Sequence, residues 1–145
     1  MSSERYLRLL RESPAVHAAD IYITEIDKAR LRSLVELDRG SEVFELEHEI
    51  ERAIVVDPWN VAEDVVTMNS RALLQVDDEE LEVALVYPED ADDRAGKLSV
   101  CSGIGTAILG YKAGDAFSWR IPDRTCHIRI EKVLYQPEAA GDFHL

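Results

Sequence analysis

Two cysteines and four histidines are the residues of this chain best suited to nucleophilic or metal chemistry, and neither type sits in a pattern that performs it. Cys101 and Cys126 fall in strand-like stretches with no His or Asn neighbour that would complete a nucleophile–base pair, so they read as small buried side chains. His17, His48, His127 and His144 show none of the paired spacings that hold zinc. Neither G-x-x-x-x-G-K-[ST] nor G-x-G-x-x-G occurs, which removes the two common nucleotide loops. Gly103 and Gly105 precede a short helical stretch, where backbone N–H groups could receive an anion. No lysine stands beside them, and a tight turn is the better explanation of the two glycines. No catalytic residue, metal ligand or cofactor-binding residue is expected.

Carboxylates are the abundant chemistry. Asp77 to Glu80 and Glu89 to Asp93 are acidic runs without the ligand spacing of a calcium loop, so they read as solvated loops. Glu36, Asp38 and Glu42 crowd one end of a predicted helical hairpin. Acids there could hold a magnesium ion against another protein's active site. They could also be solvated charges that favour a helix N-terminus.

The elements that would position these groups are those of one modest domain or two very small ones, since the chain has 145 residues. With 46% hydrophobic and 31% charged residues it has enough apolar side chains for a core. No stretch of 18 apolar residues exists, so no membrane span is expected. Two cysteines are too few for a disulfide scaffold, and a cytoplasmic protein is the default. Asp+Glu outnumber Lys+Arg by 29 to 16, a net charge of −13. The excess is spread over both halves of the chain, which repels a phosphate backbone, and no direct nucleic-acid binding is expected. The expected partner is a protein with a basic or mixed surface.

The pattern changes near Asp57-Pro58-Trp59-Asn60, from helical apolar spacing to alternation and turn signals. Thr24-Glu25-Ile26-Asp27 reads as a capping box opening a helix that runs through Leu37. Asp38-Arg39-Gly40 ends it, and Ser41 caps a second helix to about Ile54. Two helices joined so briefly form an antiparallel hairpin with arms of about 21 Å. Such a hairpin is marginal alone and should lean on the second unit. Phe44 lies off the apolar stripe near the tip, either packing there or contacting a partner. Trp59 and Pro58 read as the joint between the units. The tail Pro137 to Leu145 is either a packing segment or a contact. From Val65 onward strands are predicted over Val65–Met68, Ala72–Val76, Leu81–Tyr87, Lys97–Cys101, Ala116–Ile121 and Cys126–Leu134, with a short helix over Thr106–Leu109. The expected class is α+β: a short helical hairpin, then a curved antiparallel sheet with one short helix.

Several of these stretches together resemble a known family. Val65-Val66-Thr67-Met68-Asn69-Ser70, Leu85-Val86-Tyr87-Pro88-Glu89-Asp90-Ala91-Asp92, Gly96-Lys97-Leu98-Ser99, Gly105-Thr106-Ala107-Ile108-Leu109-Gly110 and Gly114-Asp115 resemble the C-terminal domain of Gre transcription factors. The ending, Leu134 to Leu145, is similar to that of the family's Rnk branch. The resemblance covers roughly residues 21–145. It implies an N-terminal extension over 1–20, a short coiled-coil hairpin over 21–56 and an FKBP-like domain over 57–145.

It further implies binding to bacterial RNA polymerase at the rim of its secondary channel, as a monomer. In Gre factors a Ser-Pro-x-Gly loop helps dock on the rim, and here it reads Ser102-Gly103-Ile104-Gly105, with glycine in the place of proline. Val100, Ser102, Gly103, Ile104 and Gly105 are therefore the candidate docking residues. Asp38, Arg39, Glu42 and Phe44 form the candidate channel-entering tip. Cleavage-stimulating Gre factors carry two acids on a much longer coiled coil, so the short hairpin here implies a regulator that occupies the channel mouth, competes with other factors and does not stimulate cleavage. Two alternatives stay open. One is an adaptor acting on nucleoside diphosphate kinase. The other is prolyl isomerisation, which needs an apolar pocket lined by aromatics such as Tyr87, Tyr111, Phe117, Trp119, Tyr135 and Phe143.

Overall fold

The computed structural model describes residues 15–16, 20–37, 44–121, 124–143 and 145. Strand β1 (Ala15–Val16) is followed by β2 (Tyr22–Thr24), helices α1 (Glu25–Leu37) and α2 (Phe44–Arg52), and β3 (Ile54–Val56). Then come β4 (Arg71–Val76), β5 (Glu79–Val86), β6 (Lys97–Ser99), helix α3 (Gly103–Ile108), β7 (Ala116–Ile121), β8 (Arg124–Tyr135) and helix α4 (Pro137–Ala140). Six strands make one sheet in the order β1-β7-β8-β4-β5-β6, and β2 and β3 pair separately in parallel. The large sheet is antiparallel except where β6 runs parallel to β5. The mixed α+β architecture is as expected, but the sheet is not wholly antiparallel.

Alternation builds the sheet. In β4, Ala72, Leu74 and Val76 are buried, and in β5 so are Leu81, Val83 and Leu85. The register sets Leu74 opposite Leu81 on one side and opposite Ile130 on the other, so the apolar rows coincide. In β8, Cys126, Ile128 and Ile130 point inward while Thr125, His127 and Arg129 are exposed. The β4–β5 turn uses Asp77 at φ 51°, and its carboxylate accepts the His127 N–H at 2.9 Å.

The hairpin opens as predicted, with Thr24 Oγ1 accepting the Asp27 N–H at 3.1 Å. Leu31 of α1 and Leu46 and Ile50 of α2 join Ile21 and Ile23 in the same core cluster as the sheet residues Leu74, Leu85 and Ile128. The hairpin therefore does lean on the β-rich unit through a shared core.

Several elements differ from expectation. The second helix ends at Arg52, and Ile54 opens β3 beside β2; the β-branched run Ile54-Val55-Val56 suits an extended backbone better than a last helical turn. Val65–Met68 is no strand: Val65 makes a single bridge to Lys112, and the Thr67 N–H is taken by Ser70 Oγ at 2.9 Å. Asn69 then turns at φ 66°. Helix α3 begins at Gly103, three residues earlier than predicted, because Ser102 caps it. A fourth helix, α4, follows β8, with Pro137 in its first turn. Among the described residues no helix is long and apolar enough to cross a membrane.

Candidate functional site

The Ser102–Gly105 segment is the capped first turn of α3 rather than a free loop. Ser102, at φ −70° and ψ 156°, accepts the Gly105 N–H on its Oγ at 3.1 Å and donates that hydroxyl to the Ser99 carbonyl at 2.6 Å. Thr106 Oγ1 donates to the Val100 carbonyl at 2.7 Å, and the Cys101 N–H donates to Ser99 Oγ at 3.1 Å. The turn is tied back onto the end of β6 by these side chains. Gly105 is required there by close approach: a Cβ at this position would lie 2.0 Å from the Ser99 carbonyl oxygen. No side chain fits such a gap.

The five docking candidates are contiguous in space, but their exposure differs. Val100 and Ile104 are fully buried in the core and set the shape of the turn from within. Ser102 is nearly buried, and Gly105 is buried. The surface that remains is the backbone at Gly103 and the half-buried Cys101, a residue the sequence reading placed inside a strand.

Of the hairpin-tip candidates, Asp38, Arg39 and Glu42 lie outside the described residues. Phe44 opens α2, and its side chain also lies outside them. Glu36, one turn back on α1, is exposed. Among the described residues no group of three His, Cys, Asp or Glu side chains is placed to hold a metal ion.

A polar cluster at the hairpin base was missed by sequence reasoning. Asp27, 1% exposed, bonds through Oδ1 to Arg30 at 2.5 Å, and its Oδ2 accepts the Met68 N–H at 3.1 Å. The Arg30 guanidinium lies 5.4 Å from the ring centre of Tyr87. Thr67 Oγ1 donates to Glu138 of α4 at 2.6 Å. Burial pushes the Asp27 carboxyl above its ordinary range, against the pull of the Met68 N–H and Arg30. Glu138 is raised as well, chiefly by burial, and Tyr87 rises for the same reason, helped by the charge of Asp27. The only legible signal was the Asp27/Arg30 spacing of one helical turn.

The C-terminal segment is tied to the rest of the domain by hydrogen bonds. Gln136 Nε2 donates to the carbonyls of Ala62 at 2.7 Å and Val65 at 2.8 Å, and Tyr135 Oη donates to Asp142 at 2.5 Å. At the expected joint, Pro58 is buried but Trp59 is 71% exposed, so the tryptophan does not serve as interdomain packing. Its ring lies 5.4 Å from that of Phe143.

Two family models match this chain. One described as transcription elongation factor, GreA/GreB, C-term matches residues 61–135, and one described as Rnk N-terminus matches residues 20–56. The regulator of nucleoside diphosphate kinase of Escherichia coli strain K12 is 37% identical over 131 residues, spanning 86% of this chain and 96% of that protein. Transcription elongation factor GreA of Prosthecochloris aestuarii is 33% identical over 98 residues, spanning 65% of this chain and 61% of that protein. The solved structure of a transcription elongation factor GreA/GreB from Nitrosomonas europaea superposes with a TM-score of 0.70 at 37% identity, covering 81% of this chain and 100% of that one.

Proposed function

Since the chain belongs to the GreA/GreB transcription factor family and carries an Rnk-type N-terminal segment, we propose that it is a cytoplasmic, non-catalytic regulator that binds RNA polymerase at the secondary-channel rim. It docks through the capped turn Ser102–Gly105, points its hairpin into the channel mouth and competes there with Gre-type factors without stimulating transcript cleavage.

The length of the hairpin carries this reading. Helix α1 has 13 residues and α2 has 9, about 20 Å and 14 Å of helix. Were the whole of Glu25–Arg52 helical, two equal arms would each be only about 21 Å long. A magnesium ion takes oxygen ligands at about 2.1 Å, so a carboxylate held several ångströms short contributes nothing to it.

Co-purification with core RNA polymerase tests the proposal. Retention that is lost in excess GreA supports a shared rim site; undiminished retention removes it. A second reading, an adaptor for nucleoside diphosphate kinase, is favoured by the name of the Escherichia coli relative. Assaying purified kinase with and without this protein separates a direct effect from one through transcription. Of the aromatic side chains that a prolyl isomerase pocket would need, Tyr111 and Phe117 are instead buried in the core, their rings tilted with centres 5.3 Å apart.

A further inference from the structure

Trp59 is an unusual residue to leave 71% exposed. It is also held firmly. Buried Pro58 precedes it, Asp57 Oδ1 accepts its backbone N–H at 3.0 Å, and the Asn60 N–H closes the turn on the Asp57 carbonyl at 2.9 Å. Phe143, whose ring is tilted 40° to the indole, is held in turn by the neighbouring Asp142, which accepts Tyr135 Oη and donates its N–H to the Pro137 carbonyl at 2.8 Å. Two segments distant in sequence thus present a fixed aromatic pair at the surface.

A carboxylate stands beside each ring in the chain: Asp57 accepts the Trp59 backbone N–H, and Asp142 precedes Phe143. Arg71, over the ring of Tyr135 whose hydroxyl bonds Asp142, is already engaged there. Elsewhere the chain covers its aromatic faces with its own cations, Arg30 over Tyr87 at 5.4 Å and Arg71 over Tyr135 at 5.6 Å. Trp59 offers a stronger π-face than either tyrosine, and among the described residues no cation lies over it.

We propose that the Trp59–Phe143 pair is a second docking surface for RNA polymerase, one that receives an arginine- or lysine-bearing segment over the indole face. The inference rests on the polymerase-binding reading above and adds a contact far in sequence from the Ser102–Gly105 turn. Acidic neighbours raise the local concentration of cationic groups, and the preset ring costs little entropy on binding.

The test measures the affinity of purified core RNA polymerase for the wild-type protein and for Trp59→Ala, Trp59→Leu and Trp59→Phe, with thermal unfolding confirming that each variant folds. Trp59→Ala and Trp59→Leu should bind about 5- to 30-fold more weakly, while Trp59→Phe, which keeps a π-face, stays within about threefold of wild type. Wild-type affinity in Trp59→Leu overturns the cationic contact in favour of a purely apolar one. Wild-type affinity in all three variants overturns the docking surface and leaves the polymerase-binding reading standing. Absence of binding by the wild type removes that reading, and this contact with it.

Discussion

The carboxylate of Asp27, in the first turn of α1, accepts the backbone N–H of Met68, a residue 41 positions further along the chain. One side chain thereby joins the helical hairpin to the loop that leads into the central sheet. Arg30 neutralises the same carboxylate and lies over Tyr87 at the end of β5, so the direction in which the hairpin leaves the domain is set by this group of residues.

Replacing Asp27 by Ala should therefore destabilise the fold by about 1–3 kcal/mol, because the buried Met68 N–H and the Arg30 guanidinium both lose their acceptor. Chemical denaturation of wild type and variant gives the difference directly. A change within about 0.5 kcal/mol would mean that the joint is held by the shared apolar core alone.

The same residue predicts a pH dependence. The folded Asp27 carboxyl holds its proton to a higher pH than the unfolded one, because burial outweighs the help of Met68 and Arg30. Glu138 shifts the same way, chiefly through burial. Between the unfolded and folded values the native state binds more protons, so these groups lower stability as pH rises through that window and restore it on acidification. Thermal unfolding followed from neutral pH down towards the ordinary Asp range should show a smaller gain on acidification in Asp27→Asn than in wild type. An identical pH profile in the two proteins contradicts the assignment.

Gly103 occupies the first helical position of α3, behind a Ser102 whose φ and ψ already suit a residue preceding proline. Gly103→Pro should raise stability by about 0.4–1 kcal/mol by restricting the unfolded chain. A loss of stability would show that the N–H at this position has a partner.

Gly105→Ala should act in the opposite direction. Its Cβ would lie 2.0 Å from the Ser99 carbonyl oxygen, a backbone atom that cannot swing aside. A cost of about 1–3 kcal/mol or more is expected, with displacement of the capped turn and weaker polymerase binding. Unchanged stability would mean that the Ser99–Gly105 approach is looser than described.

Local chemistry made part of the fold readable in advance. The Thr24 cap and the alternation of β4 and β5 depend on residues close in sequence and follow the pattern, although β5 opens at Glu79, inside the acidic run read as a turn, and ends at Val86. Ile54 continued the apolar stripe of α2, so periodicity hid the start of a strand whose partner, β2, precedes the hairpin in sequence. Ser102 was read within a glycine turn because glycine is a poor helix former, and only the paired hydrogen bonds to Ser99 and Gly105 reveal the cap. The bonds of Asp27 to Met68 and of Glu138 to Thr67 span 41 and 71 positions, distances over which no local pattern carries information.

Transcript cleavage in a backtracked RNA polymerase complex, measured at protein concentrations that displace GreA, tests the central claim most directly. A hairpin with helices of 13 and 9 residues should leave the intrinsic cleavage rate unstimulated while suppressing GreA-stimulated cleavage as it occupies the rim. Stimulated cleavage by this protein alone would show that its acids reach the catalytic metal, and would contradict the account.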